Sequence, residues 1–138
     1  MANLENAIKL AVLSHQGQVD KGGAPYILHP LRMMLTFDDP VLQMAAVLHD
    51  VVEDTPVTME DLIEAGYPED VLGAIDALTR REEESYDDFI DRAAAHSVGR
   101  QVKRADLEDN MNLLRIAEPT KRDLNRLAKY RRQWEKLR

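Results

Sequence analysis

The sequence predicts an all-α fold in a single domain spanning residues 1–138, and three observations carry that prediction. Apolar residues recur at helical spacing along nearly the whole chain, and no segment alternates convincingly as a strand. The composition is 44% hydrophobic but only 5% aromatic, with many Ala, Leu and Met, which suits helices better than a β-sandwich. The 138 residues are enough for one real core, and no repeat, low-complexity tract or linker divides them.

The elements follow in order. Leu4, Ala7, Ile8, Ala11 and His15 form the apolar stripe of a first helix within residues 4–18. Gly17, Gly22, Gly23 and Pro25 interrupt it and predict a loop over about 17–28. His29-Pro30 restarts a helix, with proline suited to its first turn, through Leu31, Met34 and Leu35. Asp38-Asp39-Pro40 is a capping acid followed by proline, and the third helix it opens is predicted to run to Asp54 before Thr55-Pro56. Thr58 and Asp61 have capping-box spacing for a short helix that Gly66 ends. Pro68 opens the next, with Val71, Leu72, Ile75 and Leu78 inward. After a charged loop at 80–84, Ser85 and Asp88 cap a helix that buries Phe89, Ile90, Ala93 and Ala94. A helix over about 99–115 follows, then a break at Glu118-Pro119. Thr120 and Asp123 cap a last, basic helix over about 120–137, whose expected buried stripe is Leu124, Leu127, Ala128 and Trp134.

Charge and composition narrow the function classes. Residues 1–114 carry 9 Lys/Arg against 22 Asp/Glu, whereas residues 115–138 carry 9 against 3. A basic tail can contact nucleic acid or an anionic ligand, or dock on its own acidic body or on a second copy in a homo-oligomer. The net charge of −7 argues against nucleic acid and favours docking. With no cysteine there is no disulfide, thiolate zinc site or Cys nucleophile, which fits a reducing, cytoplasmic setting. The N-terminus lacks a signal-peptide pattern, and no apolar run is long enough to span a membrane.

The chemistry concentrates in His29, the pair His49-Asp50, and Asp106. A His-Asp dipeptide inside the apolar run Met44–Val52 is costly unless a partner or cation compensates it. Two imidazoles and two carboxylates form a mixed N/O set suited to one divalent metal such as Mn²⁺, Fe²⁺ or Zn²⁺, with room for a water that the metal would activate. Glu53 and Asp54 add carboxylates within a turn of His49-Asp50, and Asn110 stands one turn beyond Asp106. Taken alone, His49-Asp50 reads more readily as a hydrogen-bonded core pair, with Glu53-Asp54 as a solvated helix end; His29, Asp106 and Asn110 tip the balance toward function. His15, on the first helix stripe, reads as structural, and His96 offers no support for a second metal. Trp134 reads as packing.

Three segments go further: Gly23–Pro30 (Gly-Ala-Pro-Tyr-Ile-Leu-His-Pro), Leu48–Thr55 (Leu-His-Asp-Val-Val-Glu-Asp-Thr) and Val102–Met111 (Val-Lys-Arg-Ala-Asp-Leu-Glu-Asp-Asn-Met). Together they resemble the HD-domain metal-dependent phosphohydrolases, specifically the (p)ppGpp hydrolase domain of RelA/SpoT homologues and its small stand-alone relatives, over roughly residues 4–116. The resemblance implies an HD-type helical bundle holding one Mn²⁺ on His29, His49, Asp50 and Asp106. It implies Glu53 and Asp54 as the catalytic pair, and Lys21, Lys103 and Asn110 as contacts to a phosphorylated nucleotide. Two positions depart from the pattern: Asp20 stands where the family has a basic residue that stacks on guanine, and Leu113 where it often has threonine. Asp20 is expected to weaken base recognition and to repel an anionic substrate. The expected function is metal-dependent 3′-pyrophosphohydrolysis of (p)ppGpp. The alternatives are hydrolysis of another nucleotide or phosphate ester, and a regulatory module that binds metal and nucleotide without cleaving.

Overall fold

The computed structural model describes residues 2–138, whose regular elements are all helices, with no strand among them beyond an isolated β-bridge between Val19 and Pro25. The first helix, α1 (Leu4–Ser14), starts where Asn3 accepts a hydrogen bond from the Asn6 amide at 2.8 Å. Helix α2 is Leu28–Leu35 and α3 is Pro40–Leu48, the latter capped by Asp39 with proline in its first turn. Both capping boxes read from the sequence are present, on α5 (Met59–Ala65) and on α9 (Lys121–Leu137). Gly66 closes α5 at φ 88°, a left-handed conformation that a side chain would resist. Between them lie α6 (Glu69–Leu78), α7 (Tyr86–Ala95) and α8 (Ser97–Asn110).

Helix α3 organises the core. Ala45, Ala46, Val47 and Leu48 are completely buried, so this helix is apolar all round and must be surrounded. Helices α1, α2, α6 and α8 all pack against it, α2 also touching α8, and α9 lies against α7 and α8. At the far end Arg100 of α8 donates to the Leu137 carbonyl at 3.0 Å, satisfying an acceptor that the end of α9 leaves open. The basic tail therefore docks on its own body, with Lys136 also 3.3 Å from Asp87 of α7.

Three expectations need correction. The third helix does not run unbroken to Asp54: it stops at Leu48, and a separate turn, α4 (Val51–Asp54), follows. The break has a backbone cause. The His49 amide reaches Ala46 rather than Ala45, and Asp50 adopts φ −105°, ψ 0°, a sparsely populated conformation common in active sites. The eighth helix likewise ends at Asn110, not near 115, and a 3₁₀ turn at Leu113–Arg115 takes its place. On α9 the buried face is rotated from the expected stripe: Asp123, Gln133 and Leu137 are buried, while Leu124 is 53% exposed and Ala128 is also exposed. Periodicity set the helix but not its rotation, because polar Asp123 and Gln133 face inward.

Candidate metal centre and adjoining cavity

Three parts of the chain bring the predicted ligands together. His29 comes from α2, His49 and Asp50 from the break after α3, and Asp106 from the middle of α8. Neighbours in a regular helix diverge by about 100°, yet His49 Nε2 and Asp50 Oδ2 lie 3.0 Å apart, since the break turns both side chains the same way. Asp106 Oδ1 lies 2.9 Å from His29 Nε2 and 3.7 Å from His49 Nε2. His29, His49 and Asp106 are all more than nine-tenths buried.

The hydrogen bonds orient both rings and place a proton on one nitrogen of His49. His49 Nδ1 lies 2.7 Å from the Ala46 carbonyl, which can only accept, so Nδ1 carries a proton and Nε2 is left for a second proton or a metal. That Nε2 is buried and makes no hydrogen bond. His29 Nδ1 lies 2.6 Å from Asp109 Oδ2, which aims its Nε2 at Asp106. Two ring nitrogens and two carboxylates thus converge where only a proton or a cation can reconcile them. The donor set fits a divalent metal. His29, His49 and Asp50 offer ligand atoms within 4.8 Å of one another, as do Asp50, Glu53 and Asp54.

The electrostatics of the bare cluster agree. Burial opposes the imidazolium of His49, but Asp50 and Asp106 raise its pKa well above the ordinary histidine range. Burial would raise the carboxyl of Asp106, yet Lys103 and both histidines hold it well below the carboxylate range. Tyr26 donates its hydroxyl to Asp50, and burial together with that carboxylate keeps the phenol protonated far above its usual range. Glu53 and Asp54 behave oppositely: desolvation raises both, followed for Asp54 by the charge of Asp50.

The other predicted residues fall in different places. Glu53 and Asp54 end α4 as exposed residues rather than buried acids, Glu53 Oε1 accepting from the Arg80 amide at 3.2 Å. Lys103, expected to meet substrate, is instead buried: its Nζ donates to Asp106 Oδ2 at 2.8 Å and lies 5.2 Å from the Phe89 ring. It compensates a buried carboxylate and does not line the cavity. Asn110 Nδ2 donates to Asp106 Oδ1 at 3.1 Å and also reaches the cavity. His15 is structural, bonded through Nδ1 to Gln18, and the His96 side chain caps α8 through the Gly99 amide.

Beside the cluster lies a cavity of about 340 Å³, bordered by His29 and Tyr26. Lys21, Arg32, Arg115 and Arg126 line it against two acids, Asp20 and Asp123, with Val19, Leu113, Ile116 and Tyr130 as apolar surface. Asp20 builds the loop rather than facing a ligand freely: its Oδ1 accepts from the amides of Gly22 at 2.9 Å and Ala24 at 3.0 Å. Gly22 is there because the loop presses on the 3₁₀ turn; a Cβ would stand 2.8 Å from the Arg115 carbonyl. Sequence reading missed Tyr26, Arg32 and Asp109 as parts of the site, and Arg126 and Tyr130 as cavity wall. Helical spacing signalled two of them: Arg32 is three residues after His29, and Asp109 three after Asp106.

No protein-family model matches the chain. Curated relatives include a GTP pyrophosphokinase of Streptomyces coelicolor, 30% identical over 122 residues that cover 86% of this chain and 14% of that protein. A guanosine-3′,5′-bis(diphosphate) 3′-pyrophosphohydrolase of Haemophilus influenzae is 34% identical over 132 residues, covering 84% of this chain and 19% of that one. The chain thus spans less than a fifth of the length of these relatives. Among solved structures, a metazoan ortholog of SpoT described as hydrolysing ppGpp superposes with a TM-score of 0.81 at 26% identity, covering all of this chain and 86% of that one.

Proposed function

We propose that this chain, a (p)ppGpp hydrolase-like HD domain by sequence and fold, is a Mn²⁺-dependent phosphohydrolase that releases pyrophosphate from the 3′ position of guanosine tetra- or pentaphosphate. The observation that carries the reading is the buried, unpartnered Nε2 of His49, facing the Asp50 and Asp106 carboxylates in a cluster whose His29 borders a cavity lined by four cations.

His29, His49, Asp50 and Asp106 would hold the metal, which when bound supplies acidification of water and neutralisation of phosphate charge. The chain's own groups do the rest. Lys103 keeps Asp106 ionised, and Tyr26 fixes the Asp50 carboxylate by donating to it. Glu53, with its pKa raised by desolvation and its carboxylate near Asp50 and Asp54, is suited to exchanging a proton with water or leaving group. Its exposed position suits that role, since a proton carrier must re-equilibrate with solvent. Asp54 would orient water or substrate. Lys21 and Asn110 would contact the nucleotide, and Arg32, Arg115 and Arg126 offer charge-assisted donors to its phosphates. No helix among the described residues is long and apolar enough to cross a membrane, and a cysteine-free chain suits the reducing cytoplasm we assign it.

The test is a substrate panel with Mn²⁺ in which (p)ppGpp is compared with other nucleotides. Release of pyrophosphate from (p)ppGpp, abolished by a chelator, is the expected result. Rapid turnover of a different nucleotide with (p)ppGpp untouched would move the substrate and leave only the phosphohydrolase class. Asp20 and Leu113 on the cavity wall favour that second reading, since both depart from the pattern associated with guanine.

A further inference from the structure

Asp109 is the most heavily solicited carboxylate of the site, and nothing in the chemistry above uses it. Its Oδ2 lies 2.6 Å from His29 Nδ1. Arg32 grips it with two prongs, Nε to Oδ1 at 2.9 Å and Nη2 to Oδ2 at 3.0 Å. Arg115 adds Nη1 to Oδ1 at 3.3 Å and Nη2 to the Asp109 backbone carbonyl at 2.6 Å. Three elements therefore meet on one side chain: α2 through His29 and Arg32, α8 through Asp109, and the 3₁₀ turn through Arg115. It does not line the cavity, whereas His29, Arg32 and Arg115 do.

We propose that Asp109 is a positioning residue: it holds His29 in the tautomer that points Nε2 at the metal site, and it restrains Arg32 and Arg115, which would otherwise be freer to bind anions. The proposal rests on the metal-site reading above. Its first half follows from imidazole chemistry, because a carboxylate accepting the Nδ1 proton fixes both the tautomer and the ring orientation and makes Nε2 a better donor to a metal. The second half follows from charge. One carboxylate shared by two guanidinium groups offsets part of their charge while fixing their planes, so Arg32 keeps Nη1 and Arg115 keeps Nε free for other partners. The same side chain thus strengthens cation binding on one side and moderates anion binding on the other.

These two roles have opposite signs, and a merely structural residue would not separate them. Asp109→Asn preserves volume and an acceptor but removes the charge. With its fold checked by circular dichroism, this variant is titrated with Mn²⁺ alone and, metal-free, with inorganic pyrophosphate alone. The expected result is Mn²⁺ affinity weakened about 10–100-fold, with pyrophosphate affinity kept or raised. Unchanged Mn²⁺ affinity overturns the proposal, and so does parallel loss of both affinities. If the wild type itself binds no Mn²⁺, the metal reading falls and takes this inference with it; wild-type binding matched by Asp109→Asn sinks this inference alone. A measurement on the unmutated protein guards against a variant that fails to fold: ring ¹⁵N shifts of the Zn²⁺-loaded chain should show His29 protonated at Nδ1. A proton at Nε2 instead would overturn the assignment.

Discussion

The histidine–carboxylate cluster and the cavity beside it share His29 and Tyr26 but are built on different principles. In the cluster the ionisable groups are buried or half-buried and most are answered by a neighbour: Lys103 and His29 face Asp106, Tyr26 donates to Asp50, and the Ala46 carbonyl accepts from His49 Nδ1. Its four predicted metal ligands sit on helices or at the break between two, so packing fixes their positions. The cavity instead takes its walls largely from the loop at 19–22, the 3₁₀ turn and one side of α9; of its charged residues Lys21 is exposed, and Asp20, Arg32, Arg115 and Arg126 are half-buried. On the function proposed above, the difference separates chemistry from recognition. The cluster tolerates little change, because removing one buried charge leaves another unpaired, while the cavity can exchange one surface charge for another at small cost.

That contrast makes ordered predictions. The largest effect belongs to the cluster: His49→Ala or Asp106→Ala should abolish both stoichiometric Mn²⁺ binding and turnover, measured by metal analysis and pyrophosphate release. Retained metal and wild-type turnover in His49→Ala would show that the centre lies elsewhere. Next comes Glu53→Gln, at the edge of the cluster. It keeps shape but cannot exchange a proton, so kcat should fall roughly 10²–10⁴-fold with Mn²⁺ still bound. An unchanged kcat would pass the proton-carrying role to another group. The smallest effect belongs to the cavity. Replacing Asp20 with arginine would break the turn that its Oδ1 holds together, so the informative variant is Asp20→Asn, which keeps the acceptor and removes the charge. KM for (p)ppGpp should drop by up to about fivefold with kcat steady, the scale of one partly exposed charge. A kcat change without a KM change would place Asp20 in the chemistry instead.

Much was legible in the residues themselves. Caps at Asn3, Asp39, Thr58, Ser85 and Thr120 act locally, through side-chain oxygens accepting backbone amides two or three residues on, so most helix starts could be read from spacing. The apolar stripes identified α1, α3, α6 and α7 as core helices for the same local reason, and the cost of burying His49-Asp50 marked the centre. The break after Leu48 was not legible, because a continuous apolar pattern is equally compatible with an unbroken helix. Nor was the inward rotation of Asp123 and Gln133 on α9, which depends on the surface that α7 and α8 present.

The division has a physical basis. Sequence alone determined what depends on neighbours along the chain: helical character, caps, and an inventory of ligand types whose burial demands compensation. Tertiary structure decided what depends on neighbours in space. It placed Lys103 on Asp106 rather than in the cavity, set Glu53 at the surface, turned Asp20 into the hub of a loop, and gave α9 to the cavity wall. It also brought Asp109 to His29 across 80 residues of chain. The partner of a charged side chain is chosen by packing among distant elements, and periodicity within one element carries no record of that choice.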